Sequence, residues 1–142
     1  MSMPVVSESR SPLVWHRHIT ARCAVVAARA LVRMPPKRLR RFLELTARGT
    51  RPATAAQALA ARTAVVSVSA RCAGQGCLQR SVATVLLCRL RGRWPDWCTG
   101  IRTQPFRAHA WVEAEGGAVG EPGDTSLYHT MVSVRCPAGR PR

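Results

Sequence analysis

In the stretch Gly76-Cys77-Leu78-Gln79-Arg80-Ser81, a glycine-rich loop passes into the most regular helical pattern of the chain. The loop Ala73-Gly74-Gln75-Gly76 leads into it, and apolar residues at helical spacing follow as far as about Leu90. A cysteine at the start of a helix lies where free N–H groups and the helix dipole favour a negative charge. The stretch therefore predicts a helix over residues 77–90 that begins with a reactive thiol.

Three more helices are predicted before this loop. Residues 21–32 are rich in Ala, Val, Leu and Arg, which favours a helix. Met34-Pro35-Pro36 ends it, because proline disfavours helical geometry in the residue before it and lacks an N–H donor. Residues 37–48 have the spacing of a basic amphipathic helix, and the alanine-rich residues 53–69 indicate a third one.

After the helices, the pattern changes to short strands. Residues 98–103, 106–114, 118–121 and 127–134 read as strands that Gly, Pro and Asp separate. Helices first and strands last predict an α+β domain with a small antiparallel sheet. The 142 residues are enough for about one domain. We therefore expect a partly ordered extension over 1–20, a single domain over 21–136 and a flexible tail over 137–142.

The formal charge of +15 first suggests a partner made of nucleic acid. However, nearly all the cations are arginines scattered among Ala, Val and Leu, and Lys37 is the only lysine. An acidic peptide substrate or partner explains this charge at least as well, and Arg40 and Arg41 are candidates to contact it. Two Phe and one Tyr offer few platforms for stacked bases, although four Trp are present. The composition thus disfavours nucleic acid as a partner.

The six cysteines, at 23, 72, 77, 88, 98 and 136, are not accompanied by a secretory signal pattern. No stretch approaches the roughly 18–20 apolar residues that span a bilayer. We therefore predict a cytoplasmic chain with mostly reduced thiols and no membrane partner. No Cys-x-x-Cys pair exists, so a zinc site built from Cys72, Cys77, Cys88, Cys98 and His109 is disfavoured, and no metal or cofactor is expected.

A thiol, an imidazole and a carboxylate occur in one order, at Cys77, His109 and Glu121, as in a cysteine nucleophile with its base and orienting acid. Alternation along residues 106–113 places His109 on the opposite face from Phe106 and the small apolar residues. A turn at Glu115-Gly116-Gly117 would bring Glu121 opposite or nearly opposite to His109, with Cβ atoms about 4.5–5.5 Å apart. Glu113, Glu115 and Asp124 fit this geometry less well.

Three motifs carry a family resemblance: Cys77-Leu78-Gln79-Arg80-Ser81, Gly100-Ile101-Arg102 and Pro105-Phe106-Arg107-Ala108-His109-Ala110-Trp111-Val112-Glu113. Over residues 31–128 the chain resembles the transglutaminase-like leader peptidases of lasso peptide biosynthesis, the B-proteins. The resemblance implies a papain- or transglutaminase-like fold with Cys77 as nucleophile and His109 as base. Glu121 takes the acid position, where the family usually has Asp.

The resemblance also implies a substrate and partners. Such peptidases remove the leader from a ribosomally made precursor peptide and free the N-terminus of the core for a macrolactam-forming cyclase. They commonly rely on a small leader-binding protein, and we expect this chain to need one as a separate partner. The cyclase is a further candidate partner.

Several alternatives remain open at this stage. A basic module that binds nucleic acid or peptide without catalysis would explain the arginines, and a Cys-His-acid site also serves amide crosslinking. Gln75 is a weak candidate for the second oxyanion donor, whereas Ser81 is expected to support the helix. Without further evidence we expect a structural role for His16, His18 and His129. We expect Cys23, Cys88 and Cys136 to serve in packing.

Overall fold

The computed structural model describes residue 12 and residues 14–139. In this part of the chain the helices are α1 (Trp15–Leu31), α2 (Pro36–Ala47), α3 (Ala55–Val68), α4 (Ala70–Ala73) and α5 (Cys77–Arg89). The strands are β1 (Arg51–Pro52), β2 (Arg93–Trp94), β3 (Asp96–Thr103), β4 (Phe106–Ala114), β5 (Gly117–Ala118) and β6 (His129–Val134). Short 3₁₀ turns occupy Thr125–Leu127 and Pro137–Gly139.

Helix α5 is the centre of the fold. It packs against α1, α3 and β4, and Val82, Ala83, Thr84 and Val85 are buried in succession. Four consecutive residues point in different directions around a helix, so the buried side chains of α5 are not confined to one stripe, and the polar Thr84 is among them. This burial fixes the position of its first residue, Cys77, relative to the sheet.

The other helices form a layer around α5. Three alanines on one side of α1, Ala21, Ala24 and Ala28, are buried and permit close contact with α3 and α5. Helix α3 begins with a capping box, in which the Thr54 hydroxyl accepts from the Gln57 N–H and the Gln57 side chain accepts from the Thr54 N–H.

The four-stranded sheet has the order β5-β4-β3-β6 and is antiparallel throughout. Strands β3 and β4 form a long hairpin whose turn contains the cis peptide bond Gln104-Pro105. In this hairpin Gly100 lies opposite His109. Strands β1 and β2 form a separate parallel pair. Trp94 and Trp97 are buried in the core, where the Trp97 indole N–H donates to the Ser81 hydroxyl at 3.0 Å.

The predicted class, α+β with helices on a small antiparallel sheet, is confirmed. The boundaries differ at several points. Helix α1 begins at Trp15 rather than at residue 21, because its first turns are exposed and leave no apolar stripe in the sequence. Strand β5 ends at Ala118 rather than continuing to 121, and β6 begins at His129. The two-residue strands β1 and β2 were not predicted.

Parts of the prediction lie outside the described residues. These are residues 1–11 and 13 of the expected extension and residues 140–142 of the expected tail. Within residue 12 and residues 14–139, no helix combines the length and the apolar character that crossing a membrane requires.

Candidate active site

A tight loop positions Cys77 at the start of α5. After α4, the N–H groups of Gly74 and Gly76 both donate to the Arg71 carbonyl, which turns the chain back on itself. A Cβ atom on Gly76 would lie 2.7 Å from that carbonyl oxygen, so the approach requires glycine. Cys77 therefore begins the helix half-buried at the edge of a cleft.

The buried Arg80 fixes the same loop from the side of α5. Its Nη1 donates to the carbonyls of Cys72 at 2.9 Å and Gly74 at 3.2 Å, and the residue is 6% exposed. A charged donor to carbonyls in a buried setting makes strong hydrogen bonds. The sequence analysis singled out this residue only as part of a motif and did not predict its burial.

His109 and Glu121 form a close pair. The Nε2 atom of His109 lies 2.7 Å from Oε2 of Glu121, which leaves Nδ1 for the thiol. The His109 side chain is partly buried, and the Glu121 side chain is 5% exposed. The predicted contact between these two residues is therefore present in the structure.

The route by which Glu121 reaches His109 differs from the prediction. Strands β4 and β5 pair Glu113 with Ala118, and Val119 continues the register with its N–H to Val112. An unbroken strand would place Glu121 opposite Ala110, and so on the other face from His109. Gly120 has a φ of +65°, a left-handed conformation that interrupts the strand and turns Glu121 toward the imidazole.

Arg62, on α3, contacts the second oxygen of Glu121. Its Nη2 lies 3.8 Å from Oε1, and both side chains are 5% exposed. A Cβ atom on Gly120 would lie 2.9 Å from Cδ of Arg62, so the missing side chain at Gly120 makes room for the arginine. Arg62 was not predicted as a site residue, because an arginine in the alanine-rich α3 is expected on an exposed face.

Aromatic rings surround the imidazole. The Trp111 ring stacks against His109 with a centroid distance of 5.9 Å and an interplanar angle of 14°. Tyr128 lies 5.5 Å from the His109 centroid, and the Arg102 guanidinium lies 5.7 Å from the Tyr128 ring. The rings hold the orientation of the imidazole, and their faces stabilise a positive charge.

Hydrogen bonding sets the charge state of the thiol and the imidazole. Burial alone would raise the pKa of Cys77, but hydrogen bonds to His109 and to the Ala110 backbone, with the charge of His109, outweigh burial and lower that pKa. The hydrogen bonds with Cys77 and Glu121 outweigh burial of the imidazole and raise the pKa of His109 from 6.5 to about 9. Between the two pKa values the site holds a thiolate beside an imidazolium.

The remaining candidate acids are engaged elsewhere. Glu113 accepts from the Trp111 indole N–H at 3.0 Å. Glu115 accepts from the Ala55 N–H at the start of α3 at 2.9 Å. Asp124 accepts from the Ser126 N–H. Among the described acids, Glu121 is the one that the structure brings to His109.

Two clefts meet at Cys77. The first has a volume of about 260 Å³ and is mostly apolar; besides Cys77, Leu78 and His109, it is lined by Thr99, Gly100, Ile101, Ala108, Ala110 and Met131. The second, of about 430 Å³, lies between the C-terminal end of α1 and the loop before α5. Both clefts share Cys77 and Leu78, so an extended chain that fills them passes over the thiol.

The donors for an oxyanion are only partly as expected. The N–H of Cys77 donates to the Gln75 carbonyl at 2.9 Å, so this first N–H of α5 is already occupied. The Gln75 side chain lines the second cleft beside Cys77, where it stays a candidate donor. Ser81 donates to the Leu78 carbonyl at 2.9 Å and accepts from Trp97, which is a supporting role.

The cysteines at 23, 72, 77, 88, 98 and 136 are all free thiols. Burial raises the pKa of Cys88 and of Cys98 to about 12, so neither resembles a nucleophile. Within residue 12 and residues 14–139, the structure contains no cluster of three or more His, Cys, Asp or Glu able to hold a metal ion.

A thiol at a helix start, with its imidazole on an adjoining antiparallel sheet and a carboxylate beside the imidazole, is the arrangement that papain-like and transglutaminase-like enzymes share. A family model described as "Transglutaminase-like superfamily" matches residues 21–133. The chain belongs to the transglutaminase-like superfamily. Members of this superfamily are commonly cysteine peptidases or acyltransferases, and the match includes Cys77, His109 and Glu121. No curated protein and no solved structure matches the chain significantly.

Proposed function

We propose that this transglutaminase-like protein is a cysteine peptidase that removes the leader from a lasso precursor peptide. The observation that carries the catalytic part is the pair formed by His109 and Glu121 at 2.7 Å, adjoining a thiol whose pKa hydrogen bonding has lowered. The leader-peptidase part rests on the motifs around Cys77 and His109. We further propose that the protein acts in the cytoplasm with a separate leader-binding protein, and that the macrolactam-forming cyclase is a further partner.

The chemistry begins with the Cys77 thiolate, which attacks the carbonyl carbon before the first core residue and forms a tetrahedral oxyanion. As this intermediate collapses, the C–N bond breaks and the His109 imidazolium gives its proton to the leaving amine. The leader then remains as a thioester on Cys77. Neutral His109 next takes a proton from water, the resulting hydroxide attacks the thioester, and the leader leaves as a carboxylic acid.

Glu121 acts on His109 rather than on the substrate. Its carboxylate accepts from Nε2 and so holds the imidazole with Nδ1 toward the thiol. The negative charge also stabilises the imidazolium that forms beside the thiolate. Arg62 keeps the carboxylate in place through its other oxygen.

Mass spectrometry provides the test. The purified chain is incubated with the precursor peptide and the leader-binding protein encoded beside it. A single cut between leader and core is expected, and Cys77→Ala abolishes it. Cys23→Ala is the matched control, since it removes an exposed thiol that lines neither cleft. An intact precursor in every sample, despite measured leader binding, would support a scaffold without catalysis.

The same experiment separates hydrolysis from crosslinking. In the presence of excess methylamine, a hydrolase yields a leader that ends in a carboxylic acid, whereas an amine-transferring enzyme yields the methylamide. We expect the acid. The methylamide as main product would replace the peptidase proposal with acyl transfer to amines.

A further inference from the structure

The second cleft at Cys77 is lined by three cations and no described acid. Arg29 lies in the last turn of α1, Arg33 lies two residues beyond the end of that helix, and Arg71 lies on α4. The other lining residues, such as Val32, Gln75 and Leu78, are neutral. Like charges around one concave space repel each other, and an anionic ligand relieves that repulsion.

The carboxylates of the described residues do not supply this negative charge. Six of its seven acids lie in the described part, Glu8 being outside it, and each of the six is engaged by another group. Glu44 pairs with Arg40, Asp96 accepts from the Cys136 N–H, and Glu121 pairs with His109. Glu113, Glu115 and Asp124 accept from Trp111, Ala55 and Ser126. Among the described residues, no carboxylate therefore neutralises Arg29, Arg33 or Arg71, and all three are exposed at the cleft, where an anionic ligand can reach them.

We propose that the second cleft binds an acidic side chain of the peptide substrate, close to the bond that Cys77 attacks. This inference rests on the proposed function, which makes Cys77 the nucleophile toward a peptide. An extended peptide advances about 3.3 Å per residue. An Asp or Glu one to three residues from the scissile bond would thus lie roughly 3–10 Å from it, within the cleft that Cys77 borders.

The two clefts together define a substrate class. On one side of the thiol, Ile101, Ala108 and Met131 offer an apolar surface. On the other side, the guanidinium groups of the three arginines are positively charged, and each can donate two parallel hydrogen bonds to a carboxylate. The substrate that fits both is a peptide with an apolar side chain on one side of the cleaved bond and an acidic one on the other.

The test uses affinity labels that need only a reactive thiol. Chloroacetyl tripeptides alkylate Cys77 through their chloromethyl carbon with loss of chloride, and they carry Asp, Asn or Lys at the first, second or third position. The rate at Cys77 is measured by peptide mass spectrometry and divided by the rate with iodoacetamide, which corrects for changes in the thiol itself. At one position at least, we expect Asp to label about tenfold faster than Lys.

Charge reversal then locates the effect. Arg33→Glu is expected to remove or invert the preference for Asp over Lys, and Arg29→Glu to do so in part. Arg48→Glu is the matched control: it changes the net charge equally, and Arg48 lines neither cleft. An unchanged preference in Arg33→Glu and Arg29→Glu, or an equal change in Arg48→Glu, would overturn the inference. Better protection of Cys77 by a single-stranded oligonucleotide than by the Asp peptides would also overturn it.

The outcome is separable from that of the cleavage assay. A preference for Asp that Arg33→Glu removes supports the acidic subsite even where the precursor stays intact. Conversely, a Cys77-dependent cut with no such preference retains the peptidase and excludes the subsite.

Discussion

Replacing Glu121 by Gln tests whether the carboxylate sets the charge of the imidazole. The change keeps the size of the side chain and removes its negative charge. In the native protein the pKa of His109 is raised from 6.5 to about 9, first by the hydrogen bond with Cys77 and then by the one with Glu121. Without the carboxylate we expect that pKa to fall by about one pH unit, because the hydrogen bond with Glu121 is lost while the one with Cys77, the larger cause, remains.

The expected change in the protonated fraction of His109 follows from these pKa values. At pH 8, an imidazole with a pKa of about 9 is roughly nine-tenths protonated, one with a pKa of 8 is half protonated, and one with a pKa of 6.5 only about 3%. The raised pKa of His109 means that the imidazolium is present below about pH 9 and is lost as the pH rises through that value. Glu121→Gln should therefore move the alkaline limb of activity downward. It should also raise the pKa of Cys77, which loses support from the imidazolium.

The assay is the pH dependence of Cys77 alkylation by iodoacetamide, with an NMR titration of the His109 ring beside it. Peptide mapping also quantifies the exposed Cys23 in each sample, which serves as an internal reference. Glu113→Gln is the matched control. Glu113 lies on β4, as His109 does, but its carboxylate accepts from the Trp111 indole N–H and not from His109. A His109 midpoint that moves by less than about 0.3 pH units in Glu121→Gln, or by the same amount in both variants, would refute the reasoning.

Three further predictions concern the support of the site. Arg80→Met removes two buried charged hydrogen bonds, so we expect a loss of about 2–4 kcal/mol in chemical denaturation, with part of it restored in Arg80→Lys. Gly100→Ala places a Cβ atom 2.6 Å from the His129 carbonyl oxygen. We expect this substitution to lower the free energy of unfolding by about 1–3 kcal/mol and to lower the rate of Cys77 alkylation. An unchanged melting temperature would contradict this expectation. Because the pKa of Cys88 and of Cys98 is raised to about 12, neither should be alkylated in the native protein at pH 8, and mass mapping checks it.

The elements that carry Cys77 and His109 follow from local patterns in the sequence. Helix α5 was predicted over 77–90 and spans Cys77–Arg89. The agreement is close because the glycine-rich loop before the helix and its apolar spacing are signals between residues that are near each other in the sequence. Strand β4 was predicted over 106–114 and spans Phe106–Ala114. Phe106, at the start of this strand, is 71% exposed, whereas residues 110–112 further along the strand are buried.

The contact between His109 and Glu121 was predicted for a reason that is only partly right. The turn at residues 115–117 suggested a direct cross-strand pair, whereas the left-handed Gly120 produces the contact by breaking the strand. A glycine in a sequence permits such a conformation without requiring it. The local pattern therefore could not distinguish a longer strand from a bend that changes the face.

The buried arginines were beyond sequence reasoning. Arg62 and Arg80 are buried, although arginine is mostly exposed in proteins. Burial of an arginine depends on partners far away in sequence, here Glu121 for Arg62, or on loop carbonyls such as those that contact Arg80. No periodicity in α3 or α5 indicates these partners in advance.

The ion pair between Arg62 and Glu121 joins the helical layer to the segment after β5, beside His109. The thiol lies at the start of α5, the imidazole lies on β4, and Arg62 of α3 contacts the carboxylate, so three parts of the fold have to be in contact before a thiolate at Cys77 is stabilised. A newly made or partly unfolded chain consequently carries an ordinary, weakly nucleophilic thiol. The rate at which Cys77 is alkylated therefore reports how many molecules in a preparation have completed their folding.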